Sequence, residues 1–170
     1  MIDYILWIVL IISFITDLSK RKILNIITLP TIVIGLIYHS VIDGWSGLLF
    51  SGQGFLLGLG LLLIPFVLGG MGAGDVKLLA AVGAMKGAGF VFSSFLFMAM
   101  AGGVMALVVL IVRKELKYLL FRFFLFLTVD KGKIQPIHPS AKEKGYTLPY
   151  GVAIAAGVFL AYYLGGVFDA

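Results

Sequence analysis

The chain is 170 residues long, 61% hydrophobic and 12% charged, well above the roughly 45–50% apolar share of soluble domains, so its solvent is the bilayer. The net charge of +5 comes from basic residues that flank apolar runs, which points to anionic lipid headgroups as partners and away from nucleic acid. Cysteine is absent and the two histidines, His39 and His138, lack the paired spacing of a zinc-binding helix, so no metal or organic cofactor is expected.

Apolar runs between charged or glycine-rich breaks predict spans near 2–18, 24–42, 48–68, 75–86, 89–112 and 148–167. The fold expected is all-α, a single membrane-embedded domain over 1–170 with about six transmembrane helices. The first run, Ile2–Ile15, has no basic residues ahead of it and no small-residue cleavage site behind it, so it reads as a span and not as a signal peptide. Asp17 to Ser19 extend it toward the interface. In the third and fifth spans Gly58, Gly60, Gly102 and Gly103 are positions that let membrane helices approach closely.

The fourth span is short, about 12 residues or about 18 Å at 1.5 Å per residue. Fusing it with the fifth would give a helix of about 55 Å in a hydrocarbon core of about 30 Å, so a break is placed at Lys86-Gly87-Ala88-Gly89. Beyond the fifth span, 113–147 is expected on the cytoplasmic side. Its part 115–128 is apolar and aromatic, with Glu115, Lys117 and Arg122, and suits a helix lying in the interface. The stretch from Asp130 to Thr147 holds two prolines and reads as a loop.

This arrangement collects Lys20, Arg21, Lys22, Lys77, Arg113, Lys114, Lys117, Arg122, Lys131, Lys133, Lys142 and Lys144 on one side, with Lys86 on the other. Basic loops stay cytoplasmic, so a multi-pass protein of the cell (cytoplasmic or inner) membrane with both chain ends outside is expected.

Two carboxylates stand out. Asp17 ends the first span and Asp75 begins the fourth, so both emerge on the cytoplasmic side at similar depth. Charge at the edge of hydrocarbon is costly and marks candidate functional residues. Adjacent carboxylates do not ionise together easily and share one proton, the state in which one takes a proton from water while the other polarises a peptide carbonyl. Bland readings stand beside this one. Asp17 next to Lys20, Arg21 and Lys22 fits a solvated interfacial charge, and Asp75 fits a structural helix N-cap. The run Gly70-Met71-Gly72-Ala73-Gly74-Asp75 supplies backbone freedom for positive φ and room for another chain. It lacks the ending of a phosphate-binding P-loop.

At these residues the chain resembles the prepilin peptidase family, aspartic membrane peptidases with a Gly-x-Gly-Asp motif in the fourth span. Here the motif is Gly72-Ala73-Gly74-Asp75, continued by Val76-Lys77-Leu78. Asp17, the basic Lys20-Arg21-Lys22 and Asn25 are similar to the family's first aspartate and the loop after it. Leu148-Pro149-Tyr150-Gly151-Val152-Ala153 resembles its last span. The resemblance implies catalytic Asp17 and Asp75, with Gly72, Gly74, Lys77 and Asn25 as motif or supporting residues. It implies cleavage of the basic leader from membrane-anchored, type IV pilin-like precursors at the cytoplasmic membrane face. The missing cysteines and the short first loop resemble peptidase-only members, so no N-methyltransferase activity is expected. For Lys77 and Asn25 a purely structural role is the competing reading. The rival functions are a presenilin-type intramembrane protease, a proton-coupled transporter and a non-catalytic assembly protein.

Overall fold

Every element in the computed structural model, which describes residues 2–112 and 150–164, is an α-helix. The expected interfacial segment 115–128, the loop at 130–147 and His138 lie outside the described residues. The helices are α1 (Ile2–Lys20), α2 (Asn25–Val67), α3 (Ala73–Val112) and α4 (Tyr150–Leu164). The first three are long and apolar enough to cross a membrane, and α4 is a shorter apolar helix. Helices suit such a sequence because they satisfy every backbone hydrogen bond within one segment, as hydrocarbon requires. The chain divides into two compact units, Met1–Gly102 with Pro149–Ala170, and Gly103–Leu148. The packing and the site belong to the first unit, and the described part of the second is the last turns of α3.

Two of the long helices are each two stretches joined at a glycine with positive φ. In α2 the joint is Gly44 (φ 59°, ψ −131°), and in α3 it is Gly87 (φ 82°, ψ 177°). Only glycine adopts these angles at little cost. At Gly44 the chain folds back on itself: Gly47 lies against the His39 carbonyl, and the His39 and Phe50 rings are 5.0 Å apart. On an unbroken helix residues 39 and 50 would stand about 16 Å apart.

At Gly87 the chain also reverses. Lys86 Nζ sits 2.9 Å from Asp3 Oδ1 at the start of α1. Phe90 then stacks edge-on to Tyr162 near the end of α4, Gly157 meets Ser94 and Met98, and Gly102 lies over Ala153 near the start of α4. Rising numbers on one helix meet falling numbers on the other, so the two run antiparallel. The six resulting stretches, 2–20, 25–43, 45–67, 73–86, 88–112 and 150–164, sit close to the expected spans.

The stretch ahead of Gly87 is the centre of the unit. Leu78, Leu79, Ala80, Ala81, Val82, Ala84 and Met85 are all fully or almost fully buried, on every face of the helix. Its neighbours come close because the crossings are made of small residues. Gly54 meets the Gly83 carbonyl, Gly58 lies against the Leu79 carbonyl and Gly35 against that of Ala84. Ser51 Oγ donates to the Ala84 carbonyl (2.6 Å), and the His39 ring contacts the Met85 carbonyl through Nε2 (3.0 Å).

Of the four glycines expected at close crossings, only Gly58 makes one. Nothing lies within 4 Å of a Cβ at Gly60 or Gly103, and Gly102 has an ordinary 3.9 Å contact. Helical periodicity explains the difference at Gly60. Gly54 and Gly58, four apart, share a face, while Gly60 is two residues further on and faces away. The outer surface is inverted relative to a soluble protein: Tyr4, Ile8, Ile11, Ile15 and Leu18 of α1 are exposed while Ser13 and Asp17 are buried, which fits a lipid-facing surface.

Gly54→Val and Gly83→Val are each expected to lower the thermal unfolding midpoint in detergent micelles, overpacking costing about 1–3 kcal/mol. Gly60→Val should unfold with the wild type. Equal midpoints for all three variants would show that the 54/83 crossing is not close.

Candidate active site

Asp17 occupies the last turn of α1, which closes with the Arg21 amide donating to the Asp17 carbonyl (2.9 Å) and Arg21 at φ 50°. A carboxylate at a helix C-terminus is poorly placed with respect to the helix dipole. The start of another helix compensates. Gly151 N, in the first turn of α4, donates to Asp17 Oδ2 at 2.8 Å, and the Val152 amide bonds the same carboxylate. First-turn amides have no partner within their own helix, so Asp17 caps α4 from the far side of the sequence. Residue 151 must be small for this to happen, since a Cβ there would stand 2.8 Å from Oδ2 and 3.0 Å from Cγ of Asp17.

Asp75 is held differently. α3 begins at Ala73, so Gly72 is the cap position and Asp75 lies inside the first turn. Its Oδ2 accepts from Gly72 N (3.0 Å) while its own amide donates to the Gly72 carbonyl (3.1 Å), one half of a capping box. The reading of Asp75 as an N-cap is corrected accordingly. The glycines ahead of it also act otherwise than expected. Positive φ in this turn falls at Gly69 alone, and Gly72 and Gly74 serve close approach. A Cβ at Gly74 would meet Ile23 at 2.9 Å, and one at Gly72 would meet Asp75 Oδ2 at 3.2 Å.

Both carboxylates are thus nearly buried, Asp17 at 6% and Asp75 at 8% exposure. They lie at the same end of the unit, near enough for the Asp17 charge to act on Asp75, while the Arg21 charge acts on Asp17. Lys77 and Asn25 do not reach the pair through any hydrogen bond described. They bond each other, Lys77 Nζ to Asn25 Oδ1 at 3.1 Å, and tie the second turn of α3 to the first residue of α2. Among the described residues no three His, Cys, Asp or Glu side chains gather into a metal-binding group.

An apolar groove of about 730 Å³ runs between α1 and α4, lined by Trp7, Ile11, Ile15, Val152, Ala156 and Phe159 among others. Trp7 and Phe159, two of its lining residues, pack edge-on (6.0 Å). Val152 belongs to both features, its amide on Asp17 and its side chain in the groove.

The amides of Gly151 and Val152 are the part of the site that a search for chemically active side chains passes over. The one local sign in the sequence is Pro149 two places ahead of Gly151, a residue with no side chain.

A family model described as the type IV leader peptidase family matches residues 4–107, well over half of the chain and a stretch that holds both aspartates and Gly72-Ala73-Gly74. No curated protein and no solved structure matches the chain.

Gly151→Ala places a methyl group on the Asp17 carboxylate. A displacement on the order of 1 Å in a peptidase site costs roughly 100-fold in turnover, and that loss is expected together with a lowered unfolding midpoint, overpacking costing about 1–3 kcal/mol. Turnover within twofold of wild type would separate the Gly151 contact from activity.

Proposed function

The chain belongs to the type IV leader peptidase family, and on that premise we propose that it is an aspartic endopeptidase with Asp17 and Asp75 as its acid pair. Its substrates are type IV pilin-like precursors, from which it removes the basic leader at the cytoplasmic membrane face. One observation supports the reading: two nearly buried carboxylates, Asp17 in the last turn of α1 and Asp75 in the first turn of α3, lie at one end of the helical unit, where Gly74 packs against Ile23 of the chain just after α1.

The pair shares one proton. The ionised carboxylate takes a proton from water as the water oxygen attacks the peptide carbonyl carbon, and the protonated carboxylate hydrogen-bonds the carbonyl oxygen. The tetrahedral product collapses by breaking the C–N bond, and the amine leaves with a proton returned by the pair. Water and peptide account for every atom of the products, so no covalent enzyme intermediate is required.

Each of the six helical stretches crosses the bilayer in this reading. Lys20, Arg21 and Lys22 follow Asp17 directly and Lys77 follows Asp75, so the aspartate end carries the basic residues that remain cytoplasmic. Asp3 and Lys86 mark the opposite end, and both chain ends lie outside. The precursor's basic leader rests among anionic headgroups, and the α1–α4 groove offers its apolar segment a surface that leads to Asp17. Without cysteine, and with only Arg21 to Leu24 between α1 and α2, the chain acts as a peptidase and not as an N-methyltransferase.

Asp17→Asn and Asp75→Asn are each expected to reduce cleavage of a co-expressed pilin-like precursor by roughly 10²–10⁴-fold, at equal membrane expression by blot. Processing that survives either substitution would remove the aspartic mechanism and bring the transporter and assembly readings forward.

A further inference from the structure

Hydroxyl groups buried in helical bundles usually donate to a carbonyl one turn back in their own helix. Among the described residues the buried Thr31 does so, as do the less buried Ser40 and Ser93. Thr31 donates to the Ile27 carbonyl (2.7 Å), Ser40 to that of Leu36 (2.6 Å) and Ser93 to that of Gly89 (3.2 Å), while Ser51 finds Ala84. Ser13, Thr28 and Ser94 are fully buried, and their hydroxyl oxygens have no hydrogen-bond partner among the described residues. A buried hydroxyl left so costs on the order of 1–3 kcal/mol.

Of the three, Ser13 stands four residues before Asp17 on one unbroken helix, on the same buried face as Leu6, Val9, Leu10 and Asp17. Side chains four apart on a helix have Cβ atoms about 5–6 Å from each other. The Ser13 hydroxyl makes no direct bond to Asp17, and a single water between the two side chains would bond both, with two bonds of about 2.8 Å. A carboxylate offers about four acceptor positions. The amides of Gly151 and Val152 take two of those on Asp17, so acceptor capacity remains for such a water, and buried waters hold their place with two to four polar partners of this kind.

Hydrolysis needs a water held against the acid pair, and one turn into the bundle from Asp17 the polar side chain on its buried face is Ser13. We infer that Ser13 is a positioning residue of the hydrolytic centre, its hydroxyl holding a water against Asp17 on the membrane-inward side of the acid pair. The inference rests on the proposed aspartic mechanism and adds to it the residue that keeps water at Asp17. Ser13 touches neither peptide nor reacting atoms and acts through the bound water.

The test uses the full chain in proteoliposomes with a precursor peptide carrying a basic leader and an apolar segment. Ser13→Ala is expected to lower kcat about tenfold, the order of one lost hydrogen bond, with KM unchanged. Ser94→Ala, equally buried and equally unpartnered but distant in sequence and on another helix, should match the wild type in both. Infrared spectroscopy supplies the second readout: the carboxyl band assigned to Asp17 by its loss in Asp17→Asn should shift in Ser13→Ala and stay in place in Ser94→Ala. Wild-type kcat in Ser13→Ala overturns the inference, as does a lowered kcat with an unmoved band. Activity retained in Asp17→Asn overturns the aspartic mechanism instead, so the two failures are distinguishable.

Discussion

A carboxylate inside a lipid-solvated bundle must draw its hydrogen-bond donors from the protein, because hydrocarbon offers none. This chain draws them from the first turns of helices, where backbone amides are left over by the helical pattern itself. The start of α4 serves Asp17 and the start of α3 serves Asp75. First turns have amides to spare and buried carboxylates lack donors, so joining them serves both. The residues at the junctions are glycines for that reason. Gly151 and Gly72 supply amides that approach a carboxylate, and side chains at those positions would lie within 3.2 Å of it.

The same economy of volume holds the rest of the unit together. Where water is absent there is little hydrophobic force between apolar helices, and close contact between small residues takes its place. The central stretch 75–86 carries Ala80, Ala81, Gly83 and Ala84, all buried. Gly35, Gly54 and Gly58 of α2 rest on its backbone carbonyls. Being enclosed by protein, that stretch has no lipid-facing surface to match to the thickness of the bilayer. Its shortness, anomalous for a free-standing span, is ordinary for an interior helix.

Much of this was legible in the chain itself, and the remainder was hidden for physical reasons. Apolar runs located all six helical stretches, because hydropathy reports which residues lipid or protein will cover. The break at Gly87 was legible from the Lys86-Gly87-Ala88-Gly89 run, and Gly44 falls in the gap left between the second and third apolar runs. Which glycines touch a neighbour was not, because contact depends on the rotation of a helix about its axis. Gly58 and Gly60 look alike in sequence and face opposite ways. The Asp75 motif was visible, while its place inside the first turn depended on where α3 starts. The amide of Gly151 carries no side-chain signature at all.

The two aspartates differ in what their placement depends on. Asp75 is bound by an amide three residues away, Gly72, and its geometry is complete once the first turn of α3 exists. Asp17 is bound by an amide 134 residues away and acquires its geometry when α4 docks against α1. Alignment of the pair therefore depends on the first and last described helices being in register. The ladder from Asp17–Gly151 at one end to Trp7–Tyr162 at the other fixes that register. The Asp3–Lys86 ion pair fixes the central stretch to the same helix at the far end. α1 is consequently the common rail on which both carboxylates are aligned, one as its own residue and the other through a helix tied to its opposite end.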